Sequence, residues 1–235
     1  MPPKLATTRY HRQMTSTPKA KKRRYRPNFC LERAASGLVA GIDEAGRGPW
    51  AGPVIAAAVI LDGDRLSREL VMGLDDSKKL SPRRRAELFE ILPHYARIGV
   101  GSASAPLIDE INILAATMTA MSRAVSALRL MPDFALVDGN RLPELPCQAR
   151  AVVGGDGLSL SIAAASIVAK VIRDRIMVAL STRYPGFGWD TNAGYGTAQH
   201  RDALEVLGVT RHHRLSYAPV HKILSGGKVW TRLFV

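Results

Sequence analysis

Apolar residues in this chain come first as short unbroken runs and later as helical stripes. Gly37-Leu38-Val39-Ala40-Gly41-Ile42 leads directly into Asp43-Glu44, and Pro53 opens a second run, Val54-Ile55-Ala56-Ala57-Ala58-Val59-Ile60-Leu61. Runs of this length without polar alternation predict strands buried on both faces, at about 38–44 and 53–61. A polar loop, Asp62 to Lys79, follows. Ser81-Pro82 supplies an N-cap and a first-turn proline for a helix to about Leu92, and Arg97 to Ser102 is expected as a third strand. From Pro106 to about Leu130, Ile111, Leu114, Ala115, Met118, Met121 and Val125 recur at helical spacing. Phe134 to Val137 reads as a fourth strand ending in Asp138, and Ala149 to Val153 as a fifth. Ser159 to Leu180 is alanine-rich and apolar around most of its circumference, which predicts a buried helix. A Gly- and aromatic-rich loop (184–196), a helix near 198–207 and an irregular basic tail complete the chain. Strands in a meander, then strands alternating with helices, predict an α/β fold: a mixed five-stranded sheet flanked by helices, with a mainly helical C-terminal extension.

Composition sets the limits of this picture. With 235 residues and 46% hydrophobic content, the chain can build one domain with a core, plus an extension. The net charge of +13 is unevenly placed: residues 1–36 hold ten of the 33 basic residues and one acid, Glu32. The expected organisation is therefore a disordered basic leader (1–35), a main domain (36–220) and a C-terminal tail (221–235). The run Lys19 to Arg26, with Tyr25 and Phe29 close by, suits a polyanion-binding arm. A solvated tail that aids solubility and an organellar targeting peptide are the other readings of the same run. The two cysteines, Cys30 and Cys147, predict no structural disulfide and point to a reducing compartment, the cytoplasm. No apolar run approaches the roughly 18 residues that span a bilayer, and no secretory h-region is present, so no membrane association is expected.

Carboxylates change the functional picture most. Asp43-Glu44 ends the first apolar run, Asp138 ends the fourth strand within Val137-Asp138-Gly139-Asn140, and Asp156 lies in Gly154-Gly155-Asp156-Gly157. Singly, the last two are ordinary turn chemistry. Two acids closing a buried strand are not, because burying carboxylates is costly unless a cation compensates them. Acids converging at one sheet edge form a hard-oxygen site suited to Mg²⁺ or Mn²⁺. Two such ions activate a water and stabilise the leaving oxygen of an in-line displacement at phosphorus. Consecutive strand residues point to opposite faces, so Asp43 is expected to be the more direct ligand and Glu44 to serve the same site only where the strand breaks. Gly46-Arg47-Gly48 directly after the acids is a glycine turn beside a planar cation, suited to phosphate and sugar oxygens. Lys78 is a candidate phosphate contact, with Lys79 as its close competitor. Ser166, Lys170 and Asp174 share one helix face, where Lys170 either reaches the site or pairs with Asp174. His200 and His213 are set aside as general acid or base, since a two-metal displacement needs neither.

These stretches resemble the ribonuclease HII family, the type 2 ribonucleases H. The resemblance rests on Gly41-Ile42-Asp43-Glu44-Ala45-Gly46-Arg47-Gly48-Pro49, Asp76-Ser77-Lys78-Lys79-Leu80-Ser81, Val137-Asp138-Gly139-Asn140, Gly155-Asp156, the segment Ile162 to Asp174, Gly194-Tyr195-Gly196-Thr197 and His212-His213-Arg214-Leu215-Ser216-Tyr217, in that order over roughly residues 38–220. It implies a ribonuclease H-like fold. It also implies a monomeric endonuclease that cuts the RNA strand of RNA–DNA hybrids and incises 5′ to ribonucleotides embedded in duplex DNA, leaving 3′-hydroxyl and 5′-phosphate ends with Mn²⁺ or Mg²⁺ as cofactor. By residue match, Asp43, Glu44, Asp138 and Asp156 correspond to the catalytic metal-binding acids. Gly46-Arg47-Gly48 corresponds to the turn that senses the ribose 2′-hydroxyl, and Tyr195 to the tyrosine that stacks on the following sugar. The chain departs from the family pattern at Ala193, where lysine is frequent, and at Tyr217, where phenylalanine is more usual. A type 3 ribonuclease H and a non-catalytic nucleic-acid-binding protein are the competing readings. Arg47 and the absence of an N-terminal platform domain favour type 2 over type 3. The four acids argue against a pure binder, which gains nothing from carboxylates where phosphates dock.

Overall fold

The computed structural model describes residues 26–225. Its elements follow the chain as α1 (Cys30–Ala34), β1 (Val39–Ala45), β2 (Val54–Leu61), α2 (Arg68–Gly73), α3 (Pro82–Ile91), β3 (Ala96–Ala103), α4 (Ala105–Ser126), β4 (Phe134–Asp138), β5 (Gln148–Val152), α5 (Leu160–Arg183), α6 (Trp189–Asn192), α7 (Ala198–Leu207) and α8 (Ala218–Ser225). One five-stranded sheet has the order β3-β2-β1-β4-β5. β1 pairs antiparallel with β2, and β2 with β3, whereas β1–β4 and β4–β5 are parallel. β1 is thus central, with one neighbour of each kind. The mixed α/β sheet flanked by helices expected from the apolar runs is the fold observed.

The two faces of the sheet bury different helices. Ala40 and Ile42 of β1 join Val54, Ala56, Ala58 and Ile60 of β2 in a core closed by α4, through Ala116, Ala120, Met121 and Ala124. Ile55, Ala57 and Val59 face the other way, onto α5 and α3. Because α5 packs under the sheet centre, it is apolar nearly all round, as the alanine-rich segment predicts. Gly41 sets how close it comes: a Cβ there would overlap the Ser161 carbonyl carbon and the Ile162 nitrogen. The residues after α5 form a lobe built on Met177, Tyr184, Phe187, Trp189, Leu204 and Val220.

Several sequence expectations are corrected. The leader was expected to be disordered through residue 35, but α1 begins at Cys30. Its Glu32 is buried and accepts hydrogen bonds from the Ser159 hydroxyl at 2.6 Å and the Ser161 N–H at 2.9 Å. A single carboxylate satisfying the amino end of a long helix leaves no periodic signal in the sequence. The Lys19–Arg26 arm lies outside the described residues except for Arg26. The polar loop 62–79 contains α2, capped by the Ser67 hydroxyl and held by buried Leu70. The helix expected to reach Leu130 ends at Ser126 and breaks at Asn112, where φ is +67°. There the Asn112 side-chain oxygen accepts the N–H groups of Leu114 and Ala115 at 2.9 and 3.1 Å and so restarts the helix. The boundary expected at residue 221 between main domain and tail falls inside α8.

The close β1–α5 packing generates the first expected outcome. Gly41→Ala forces strand and helix apart and costs about 3 kcal/mol, at the upper end of overpacking penalties. Urea unfolding measures this, and a loss below about 0.5 kcal/mol would show that the interface has slack.

Candidate active site

The carboxyl ends of β1 and β4 lie side by side because the two strands are parallel, with Ile42 opposite Val137. Asp43 and Asp138 are the next residues on each strand. Val39 packs with Leu136 against Ile162 of α5, so by alternation Gly41, Asp43 and Asp138 face α5, whereas Ala40, Ile42 and Glu44 face α4. β5 is also parallel, and the turn that follows it, Gly155–Gly157, carries Asp156 to the same edge. The turn is tied to β4 directly: the Gly155 N–H donates to Asp138 Oδ1 at 2.7 Å. Three strand ends therefore deliver acids to one edge, as the sequence pattern predicts.

Their electrostatics show how poorly the protein alone compensates them. Asp43 is 4% exposed, and its Oδ1 accepts the Glu44 N–H at 2.7 Å. Burial pushes its pKa well above the usual range. Glu44 and Asp138 push it further, while the Glu44 N–H and the Ser166 hydroxyl pull it back. Glu44 is raised too, first by burial and then by Asp138, against the lowering effect of the Arg47 guanidinium 3.4 Å away. Asp156 is raised to about 6 by burial, by Asp76 and by Asp138, with Lys78 opposing. Asp43, Glu44 and Asp156 are thus each held back from ionising by burial and by neighbouring acids, an environment that suits a cation. Among the described residues, no three histidine, cysteine, aspartate or glutamate side chains are already drawn together closely enough to hold a metal ion. Asp43 and Asp138 are instead turned to backbone N–H groups, and Asp156 lies 3.7 Å from Lys78.

Geometry separates the two candidate lysines. Partial burial works against the Lys78 charge, but Asp156, Asp76, Asp43 and Asp138 together raise its pKa, so it sits in the field of the acid cluster. Lys79 instead pairs with Asp75 at 3.0 Å. Lys170 does not reach the acids in this structure: its Nζ bonds Asp174 at 2.6 Å. Asp76, which the sequence reading did not single out although it opens the motif Asp76 to Ser81, adds a further carboxylate beside Asp156. Ser166, placed by the sequence on the same helix face as Lys170, bonds the Ser77 hydroxyl at 2.8 Å beneath Asp43.

The turn Gly46-Arg47-Gly48 follows as soon as β1 ends. Gly46 has φ of +99°, and a Cβ there would overlap the Arg173 side chain, so only glycine fits this break. Arg47 and Gly48 are exposed, and the Tyr195 ring lies next to Gly48. Tyr195 is 52% exposed, with its ring available for stacking. The loop that carries it is locked to the turn region, since the Trp50 and Ala51 N–H groups donate to the Gly194 carbonyl at 2.8 and 3.3 Å. The turn and the tyrosine, distant in sequence, form one surface beside the acids. At Ala193 the backbone is left-handed, with φ of +48°.

The two histidines set aside as acid or base are buried behind this surface. Thr210 N–H donates to His213 Nδ1 at 2.8 Å, so that nitrogen is unprotonated and His213 is neutral. Its Nε2–H then donates to His200 Nε2 at 3.0 Å, which also accepts Trp189 Nε1–H at 3.1 Å. The His200 proton must therefore lie on Nδ1, 2.9 Å from the Tyr195 carbonyl. Burial pushes His213 down to about 3, with His200 adding to the effect, and burial also lowers His200. The pair supports the Tyr195 loop through its carbonyl.

Comparison with known proteins agrees with the geometry. The family profile described as ribonuclease HII matches residues 40–220. The ribonuclease HII of Paramagnetospirillum magneticum is 61% identical over 194 residues, covering 83% of this chain and 96% of that protein. The ribonuclease HII of Rhodospirillum rubrum is 58% identical over 201 residues, covering 85% of this chain and 92% of that protein. The crystal structure of ribonuclease H2 from Pyrococcus horikoshii OT3 aligns with a TM-score of 0.69 at 28% identity, covering 80% of this chain and 97% of that one.

The raised pKa of Asp43 makes it a liability in the metal-free protein. Asp43→Asn, which keeps an oxygen for the Glu44 N–H, is expected to raise the metal-free melting temperature by about 2–4 °C, equivalent to about 1 kcal/mol. It should also remove the extra stabilisation that the unmodified protein gains from added Mn²⁺. A lower melting temperature in the variant would show that Asp43 is compensated without metal. For His213 the folded pKa is depressed, so its stabilising effect is present above the unfolded value of about 6.5 and is lost as pH falls toward 3. Between pH 6.5 and 4 this group alone removes up to about 3 kcal/mol. His213→Asn should unfold with a shallower pH slope in urea titrations over that range, and an unchanged slope would place the proton uptake elsewhere.

Proposed function

The chain belongs to the ribonuclease HII family, and on that premise we propose that Asp43, Glu44, Asp138 and Asp156 form its catalytic, metal-binding centre, with Gly46, Arg47, Gly48, Lys78 and Tyr195 holding the substrate. Members of this family are metal-dependent endonucleases that cleave the RNA of RNA–DNA hybrids and ribonucleotides in DNA. The finer reading is incision 5′ to an embedded ribonucleotide, leaving 3′-hydroxyl and 5′-phosphate ends, by a monomer working in the cytoplasm with Mn²⁺ or Mg²⁺. Among the described residues, no helix is long and apolar enough to cross a membrane.

The observation that carries this reading is Asp43. It is a buried carboxylate whose charge is opposed by desolvation and by two further carboxylates. Its donor chemistry fits a hard divalent cation, since all four acids offer oxygen and none offers sulfur or imidazole. Asp43 and Asp138 would hold the cation from the α5 side of the sheet edge, Glu44 from the last paired residues of β1, whose ladder runs on to Ala45, and Asp156 from the turn after β5. When bound, such a cation supplies the charge that favours attack of water at phosphorus and departure of the 3′-oxygen. Arg47 can grip a phosphate bidentately beside this edge. Lys78 adds a second positive charge from the opposite loop. The 2′-hydroxyl distinguishes a ribose from a deoxyribose, and the exposed peptide group at Gly48 can approach it without hindrance from a Cβ. Tyr195, next to Gly48, offers a flat face to the neighbouring sugar.

Cleavage of a duplex carrying one ribonucleotide, run beside a uniform RNA–DNA hybrid with and without metal, tests the reading. Asp43→Asn is expected to lower turnover by about 10³-fold or more while metal-free binding of the hybrid changes little. Near-normal turnover would remove Asp43 from the centre. Arg47→Ala should reduce kcat/KM at the single ribonucleotide by about 10- to 100-fold, the effect of losing a charge-assisted contact, with an unchanged melting temperature. An equal loss on every substrate would exclude a role in recognition.

A further inference from the structure

The Gly46-Arg47-Gly48 turn is gripped from beneath by two buried guanidinium groups. Arg214 is 0% exposed and Arg173 1%, and among the described residues neither forms an ion pair. Carbonyl oxygens take the place of carboxylates. Arg214 Nη1 donates to the Arg47 carbonyl at 2.8 Å, Nη2 to the Gly46 carbonyl, and Nε and Nη2 to the Gly52 carbonyl at 3.1 and 2.9 Å. The Tyr217 hydroxyl accepts from Arg214 Nη1 at 3.0 Å and itself donates to the Arg47 carbonyl. Arg173 packs against Gly46 without bonding the turn itself, and donates to the carbonyls of Pro53 and Ala51 at 3.1 and 3.2 Å. The Arg214 segment is itself pinned by Asp109 of α4, whose carboxylate accepts the N–H groups of Leu215 and Ser216, both at 2.9 Å.

Burying a guanidinium without a counter-charge is costly, and a fold that only needed packing here would do better with apolar residues. What the arrangement achieves is orientation. In a trans peptide the carbonyl of one residue and the N–H of the next point in opposite directions. Drawing the Gly46 carbonyl inward therefore turns the Arg47 N–H outward, and drawing the Arg47 carbonyl inward turns the Gly48 N–H outward. Among the described residues those two N–H groups have no hydrogen-bond partner, both residues are exposed, and Tyr195 lies alongside. We infer that Arg214, assisted by Tyr217, is a positioning residue for ribose recognition: its fork sets the two peptide planes of the turn so that their N–H groups face the substrate. This rests on the functional reading above. A lysine keeps the charge at this position but cannot bridge the three carbonyls with a planar fork.

The test uses the full chain and two readouts. One is anisotropy binding, in EDTA, of a DNA duplex with a single ribonucleotide against the same all-DNA duplex. The other is steady-state cleavage of the ribonucleotide duplex in Mn²⁺. Arg214→Lys is expected to cut the ribonucleotide-over-DNA binding preference by about fivefold and to raise KM by a similar factor, with kcat within about twofold, as for loss of one charge-assisted hydrogen bond. Tyr217→Phe, which removes only the hydroxyl, should move both quantities the same way by about two- to threefold, and it keeps the test decisive if Arg214→Lys does not fold. A fall in kcat that tracks a lowered melting temperature, with preference and KM unchanged, would mean that the arginine merely staples the lobe, and overturns the inference. Preserved preference in Tyr217→Phe together with an unfolded Arg214→Lys overturns it as well. An unmodified protein with no ribonucleotide preference would instead overturn the functional reading, and this inference with it.

Discussion

A buried carboxylate that the protein leaves uncompensated is the constraint around which this structure is arranged. Asp43 could be made comfortable by a neighbouring arginine or by exposure to water, and the fold provides neither. It places Asp43 on the face of β1 covered by α5 and sets Asp138 on the adjacent parallel strand. It then fastens the Asp156 turn to Asp138 through a single backbone hydrogen bond. Parallel pairing is essential here, because only parallel neighbours end at the same edge of the sheet. The antiparallel partner β2 contributes Ala56 and Ala57 opposite the acids, small residues that crowd nothing. Repulsion among the acids is tolerated because the surrounding core holds them in place, and a cation at this edge would relieve it.

The opposite sign of charge is handled in the mirror-image way. Arg173 and Arg214 are as buried as Asp43, yet their environment is rich in carbonyl dipoles and poor in carboxylates. The boundary between the two regimes falls within a few residues, where β1 ends and Gly46 takes a left-handed conformation. On one side lie acids that want a cation. On the other, cations hold a turn whose outer face offers N–H groups to anionic and hydroxyl oxygens. On the function proposed above, a nucleic-acid strand crossing that boundary would meet both halves at once.

Much of this was legible in the sequence. Unbroken apolar runs identified β1 and β2, Ser81-Pro82 located the start of α3, and the apolar circumference of α5 announced a central helix. Strand-end acids marked the sheet edge where β1 and β4 finish side by side, and period-two alternation set Asp43 and Glu44 on opposite faces of β1. What escaped notice depended on contacts that no local pattern records. Glu32 looks like one acid in a basic leader, and its role emerges only beside the amino end of α5. Asn112 sits in good helical spacing and still breaks α4, because its side chain restarts the helix. Arg173 and Arg214 lie within motifs the sequence offered, yet nothing along the chain shows that carbonyls of residues 46–53 surround them. Lys78 and Lys79 could be told apart only by which acids they meet.

The strand order has a consequence in time as well as in space. Asp43 lies early in the chain, but its partners on β4 and after β5 are separated from it by β2, β3 and the whole of α4. The arginine that sets the neighbouring turn arrives later still, beyond α7. During synthesis, which proceeds from the amino end, the meander β1–β3 and α4 can associate while neither half of the site exists. An unfinished chain therefore carries Asp43 and Glu44 without Asp138 and Asp156, and the turn without its clamp. Nuclease competence on this topology is the last property a nascent molecule acquires, not the first.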